Sequence, residues 1–198
     1  MPTPERTSLD RMVRAGRALV DDGGVDALTM QAVAARVGVR APSLYKRVRN
    51  REHLVGLVVD DVAHELTQRL AAASAAVRGE PEAVEGDPSA RLSTLARALR
   101  EWATANPAAF GLLFIEPERD LGSEAALRDA SRAVVDVAEA IVGPDDALPF
   151  ARTVTAWASG FLAMELGGRF RLGPGVDEAY EYGIGVLARG AVRASELA

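Results

Sequence analysis

Cysteine is absent from the 198-residue chain, and histidine occurs only at His53 and His64. Without cysteine there can be no disulfide, no thiolate metal site and no cysteine nucleophile. Two histidines leave little from which to build a Ser-His-Asp triad or a multi-histidine metal centre, so most hydrolase and metalloenzyme classes drop out. No cofactor is expected. Long apolar runs are missing too, because no uncharged stretch approaches the roughly 20 residues of a membrane span. The start, Met1-Pro2-Thr3-Pro4-Glu5-Arg6, has no apolar stretch behind a basic residue. No signal peptide is expected, and the expectation is a cytoplasmic protein with no membrane partner.

What the chain does hold is 48% hydrophobic and 26% charged residues, the composition of a folded domain with a real core. Its net charge of -5 argues, taken whole, against a nucleic-acid partner. The distribution reverses that inference. Residues 1–53 carry ten Lys/Arg against six Asp/Glu, whereas residues 54–198 carry thirteen against twenty-two. Six basic residues and no acidic one lie between Arg36 and Arg51. A basic head on an acidic body suggests two tasks in one chain.

The periodicity is helical almost throughout. Leu9, Met12, Val13, Gly16, Leu19 and Val20 share one helix face, with Ser8 as cap and Asp22-Gly23-Gly24 as stop. Thr29 caps a second helix over Met30 to Val37, which Gly38 ends. Pro42 suits the first position of a short third helix reaching Arg47 or Val48. Asn50 caps a fourth helix from Arg51 to about Ala76, and the Pro, Gly and acid-rich stretch from Arg78 to Pro88 reads as a linker. Beyond it the pattern predicts helices over Ser89–Thr104, Ala108–Ile115, Ser123–Val142, Ala147–Arg171 and Val176 to about Ser195. The expected fold is all-α, an N-terminal three-helix domain at 1–53 that holds a helix-turn-helix, followed by a larger helical domain at 54–198.

Thr29 to Leu54 is the informative stretch. Two short helices about Gly38-Val39 make a helix-turn-helix, in which the first helix braces the second across the DNA backbone and the second presents side chains to the major groove. Val33, Val37, Val39 and Leu44 would fasten the pair, leaving Arg40, Ser43, Lys46 and Arg47 facing outward. Leu28-Thr29-Met30-Gln31-Ala32-Val33-Ala34, Val37-Gly38-Val39, Leu44-Tyr45-Lys46-Arg47-Val48 and Asn50-Arg51-Glu52-His53-Leu54 follow in order and without gaps. In these motifs the chain resembles the TetR family of bacterial transcriptional regulators, over about residues 8–58. The resemblance implies that Ala41, Pro42, Ser43, Tyr45 and Lys46 sit on the recognition helix, with Tyr45 on a phosphate and Thr29 and Arg51 gripping phosphates at either edge. Arg40 stands where the family often has a capping Ser or Thr, and Arg47-Val48 replaces the usual His-Phe. Arg40 thereby becomes a candidate base or phosphate contact. On chemistry alone, Tyr45 suits packing as well as DNA contact, and Lys46 and Arg47 suit a solvated face.

Trp102 to Phe114 and Thr155 to Leu166 resemble the effector domain of a TetR subgroup named for a Trp-His-Gly element, although this chain reads Trp157-Ala158-Ser159-Gly160. Except for Tyr45, every aromatic residue falls at or beyond Trp102. Aromatics at helical spacing serve as core or as the lining of an apolar pocket. Trp102, Phe110, Phe114, Trp157 and Phe161 are the candidate ligand-lining residues, with Glu165 as a polar contact. Asp60, Asp61, His64 and Glu65 are spaced for a metal but read as a solvated charged face, and His53 as a surface residue. The glycines of the last two helices permit close approach, and in the resembling family those helices form a two-fold dimer. The expected function is that of a ligand-responsive repressor which binds a palindromic double-stranded DNA operator as a homodimer and is released by a small-molecule effector. The alternatives are a helical small-molecule binding protein or enzyme with an incidental basic head, and an architectural DNA binder. The first lacks a catalytic constellation. The second requires a basic body.

Overall fold

The computed structural model describes residues 8–78, 87–114, 122–173 and 175–195. Among these residues every regular element is helical, and no helix is long and apolar enough to cross a membrane. The chain divides into two compact units, Met1–His64 with Asn106–Leu127, and Glu65–Ala105 with Arg128–Ala198.

The first unit begins with α1 (Leu9–Gly23), whose cap forms as its sequence predicts, the Ser8 hydroxyl accepting from the Arg11 amide. Gly24 ends it at a φ of 74° that favours glycine. A 3-10 turn over Val25–Ala27 leads to α2 (Met30–Val37), capped by Thr29 and closed by Gly38 in the left-handed conformation. Next come a 3-10 segment, Ala41–Lys46, and α3 (Arg51–Arg78). Met12 and Val20 of α1, Leu28, Val33 of α2, and Leu54 and Val58 of α3 are buried together with Leu44 and Val48 of the intervening stretch. Gly16 lets α1 approach α3, since a Cβ there would lie 2.9 Å from Val58 Cγ2. Helix α5 (Pro107–Phe114) packs on α1, where Arg17 donates to Asn106 Oδ1.

The second unit is built from the rest of α3, α4 (Pro88–Ala105), most of α6 (Glu124–Val142), α7 (Ala147–Leu166) and α8 (Val176–Ser195). Helices α4, α7 and α8 pack on one another, and Ala138, Ala147 and Ala151 join Val134, Val135 and Phe150 in a cluster of small and branched side chains. A Cβ at Gly183 of α8 would lie 2.2 Å from Trp157 Cζ2, so glycine is the residue that lets α8 seat on that indole.

Two element expectations need correction. The third helix is a 3-10 segment rather than an α-helix, and it has no side-chain cap at Arg40. Helix α7 stops at Leu166 and not near Arg171, because Gly168 takes a φ of 61° and the Arg169 amide turns back to the Met164 carbonyl. Ile115 and most of the linker expected over 78–88 lie outside the described residues.

Candidate nucleic-acid interface

The basic segment is held from both sides. The Thr29 hydroxyl accepts from the Ala32 amide at 3.1 Å, satisfying one of the unpaired donors at the start of α2. At the other side the Asn50 side chain accepts from the His53 amide at 2.8 Å, and His53 Nδ1 accepts from the Arg49 amide at 3.1 Å. The Asn50 side chain thus caps the start of α3, while the imidazole reaches back one residue further, to the amide that precedes the cap. His53, expected at the surface, is half-buried for that reason.

Between these anchors Leu44 is fully buried and pins the 3-10 segment to the head, while the Ser43 amide closes the turn on the Arg40 carbonyl at 2.9 Å. The remaining side chains are displayed. Arg40, Pro42, Tyr45, Lys46 and Arg47 are exposed, Tyr45 at 54%, and Ala41 and Ser43 are half-buried. An exposed tyrosine between cations presents a hydroxyl and a flat apolar ring at one surface, the composition of a backbone-gripping edge. Thr29 is exposed as well.

Arg51 is engaged within the head. Its Nε donates to the Leu28 carbonyl at 2.7 Å and its Nη2 to the Val25 carbonyl at 2.6 Å. Arg36 is similarly engaged, 2.9 Å from Asp22. Both pairings join residues far apart in the chain, so no local motif announces them.

The six candidate ligand-lining residues are distributed between the two units. Phe110 and Phe114 belong to the first, stacked at 4.9 Å, with Phe110 fully buried. Trp102, Trp157, Phe161 and Glu165 belong to the second. Trp157 and Phe161 pack with Phe170 and Tyr180 at centroid separations of 4.7 to 5.7 Å, forming a continuous aromatic cluster. Trp102 is buried and donates its indole N–H to Glu65 at 2.7 Å. Glu165 holds Arg100 through both carboxylate oxygens, and Arg100 also reaches Asp177 at 2.6 Å and lies over the Tyr180 ring. Hydrogen bonding to Glu165 raises the Arg100 pKa, so this guanidinium stays charged. Burial pushes the Tyr180 phenol up, with Arg100 opposing, and its hydroxyl donates to the Ala96 carbonyl. Sequence reasoning missed the pairing of Arg100 with Tyr180, because each shares its helix with at least one other residue of its kind and nothing local sets it apart.

Of the four residues spaced for a metal, Asp60 accepts from the Ser123 amide and Glu65 from Trp102. Among the described residues no group of three or more acidic or histidine side chains is arranged to hold a metal ion.

Residues 13–58 match the family described as bacterial regulatory proteins, tetR family, and residues 92–187 match the tetracyclin repressor-like C-terminal domain. The chain belongs to the TetR family. Among curated relatives, the HTH-type transcriptional regulator Rv1816 of Mycobacterium tuberculosis is 30% identical over 107 residues, 54% of this chain and 43% of that one. The chain thus spans less than half the length of the curated relatives it matches. The fold is shared with BioQ, solved with its natural double-stranded DNA operator (TM-score 0.66, 20% identity, 93% and 98% of the two chains). It is shared also with a TetR variant from Acinetobacter baumannii in complex with minocycline (TM-score 0.67, 20% identity, 94% and 97% of the two chains).

Proposed function

We propose that the protein is a ligand-responsive transcriptional repressor that binds a palindromic operator as a homodimer and is released by a small-molecule effector. In this reading residues 1–53 read DNA and residues 54–198 bind ligand and dimerise. The observation that carries it is the 3-10 segment, anchored by buried Leu44 and displaying Arg40, Tyr45 and Lys46. Its contacts divide by chemistry. Thr29, Tyr45, Lys46 and Arg47 face phosphates, while Arg40, Ala41, Pro42 and Ser43 lie at base edges, where a short side chain or a cation discriminates pairs.

The dimer reading rests on α7 and α8, which expose Leu148, Met164, Tyr182 and Val186, while Gly160 and Gly190 face open space. A second copy laid on these helices would cover apolar surface and meet small residues. The effector reading rests on the family's C-terminal domain and on the aromatic cluster about Trp157 and Phe161, with BioQ and the minocycline complex as fold neighbours whose partners are DNA and drug. An effector releases DNA only if it binds the DNA-incompetent arrangement more tightly than the competent one. The test is a mobility-shift titration of the chain's own promoter fragment with and without apolar ligands. A shift that survives competitor DNA supports the reading; its absence overturns it.

A further inference from the structure

Charge counting treats the six cations between Arg36 and Arg51 alike, but the structure separates them. Arg51 lies in the first turn of α3, and its guanidinium fork spans the whole Val25–Ala27 turn, Nη2 on the Val25 carbonyl and Nε on the Leu28 carbonyl. The Asp26 carboxylate stands 4.0 Å away, so the cation has a counter-charge within the head. Leu28 is fully buried, and its carbonyl immediately precedes Thr29, the cap of α2. One side chain therefore ties the entrance of α2 to the entrance of α3. The 3-10 segment Ala41–Lys46 is suspended between those two helices, entered through Gly38 and left through Asn50.

We infer that Arg51 is a positioning residue, a brace that sets the angle at which the 3-10 segment is presented, and not one of the cations that neutralise DNA phosphate. The functional part rests on the DNA-binding reading above; the brace itself does not. The geometry needs arginine specifically, because two donors in a rigid plane reach two carbonyls at once, whereas an ammonium on a flexible stem is a single point. Lysine would restore a phosphate contact and would fail to restore the brace.

The test uses the full chain with Arg51→Lys and Arg51→Ala. Hydrogen exchange without DNA should show faster exchange at the Leu28 and Thr29 amides in both variants. Binding to the promoter fragment should weaken roughly tenfold in both, which corresponds to about one charge-assisted hydrogen bond, with the slope of log affinity against log salt unchanged from wild type. Unchanged exchange in Arg51→Ala would overturn the brace. So would wild-type affinity in Arg51→Lys together with a slope reduced by about one unit in Arg51→Ala, the signature of a lost phosphate contact. Should the unmodified chain bind no DNA selectively, the DNA reading fails, while the exchange measurement still decides the brace.

Discussion

Lys46 is exposed beside an exposed Tyr45. Lys46→Ala should weaken DNA binding on every sequence and lower the salt slope by about one unit, measured by fluorescence anisotropy across a salt series. Ser43 and Arg40 are assigned differently. Their alanine variants should change which base is preferred, and a uniform loss across a randomised operator library would sink the base-reading assignment. In the second unit, Gly183→Ala would drive a methyl into Trp157, where the gap to the ideal Cβ is 2.2 Å. Overpacking of this kind costs about 1–3 kcal/mol, readable as a lower urea midpoint with unchanged m-value. Tyr180 gives a pH effect with a definite sign. Its phenol is raised above the ordinary 10.0 by burial, so the folded state favours the neutral form. That stability is complete below pH 10 and is lost as the pH rises through the folded value. Tyr180→Phe should therefore flatten the alkaline side of a Tm-versus-pH curve, and an unchanged curve would refute the assignment.

At the scale of the element, local chemistry was legible and long-range pairing was not. The caps Ser8, Thr29 and Asn50 and the stop at Gly38 act on neighbours three or four residues away, so sequence alone locates them. Thr29→Ala should cost about 1 kcal/mol of stability in chemical denaturation, and Gly38→Ala at least as much because its φ of 76° disfavours a side chain. The 3-10 character of Ala41–Lys46 was hidden because a six-residue stretch has too few turns for its period to separate 3.0 from 3.6 residues per turn. The early end of α7 was obscured by Phe170 and Leu172, whose apolarity continues the pattern past Gly167-Gly168. Arg51 with Leu28, Trp102 with Glu65 and Arg100 with Glu165 join positions that no periodicity relates. Those pairings decide which charged and aromatic residues serve structure, and they separate Arg51 from the displayed cations around it.

For the molecule as a whole, the charge split and the exposed apolar face make a joint claim. On the proposed reading, an acidic 54–198 is repelled by DNA, which leaves the basic head as the docking surface. If α7 and α8 pair two copies, Met164→Glu combined with Tyr182→Glu should yield monomers in sedimentation velocity and weaken operator binding. Neither substitution touches the head, so its unfolding should be unaffected. A dimer that persisted would place the interface elsewhere.

The brevity of the recognition segment has a consequence for information. Six residues of 3-10 helix rise about 12 Å in all, and stacked base pairs are spaced about 3.4 Å apart, so one segment faces roughly three or four pairs. In the proposed homodimer, roughly eight pairs read perfectly by two heads would still recur by chance many times in a genome offering about 10⁶ or more sites. The missing discrimination has to come from what the segments do not touch, the distance between half-sites and the stiffness of the DNA joining them. Inserting a single base pair between the half-sites should then cost more affinity than changing any one base within them.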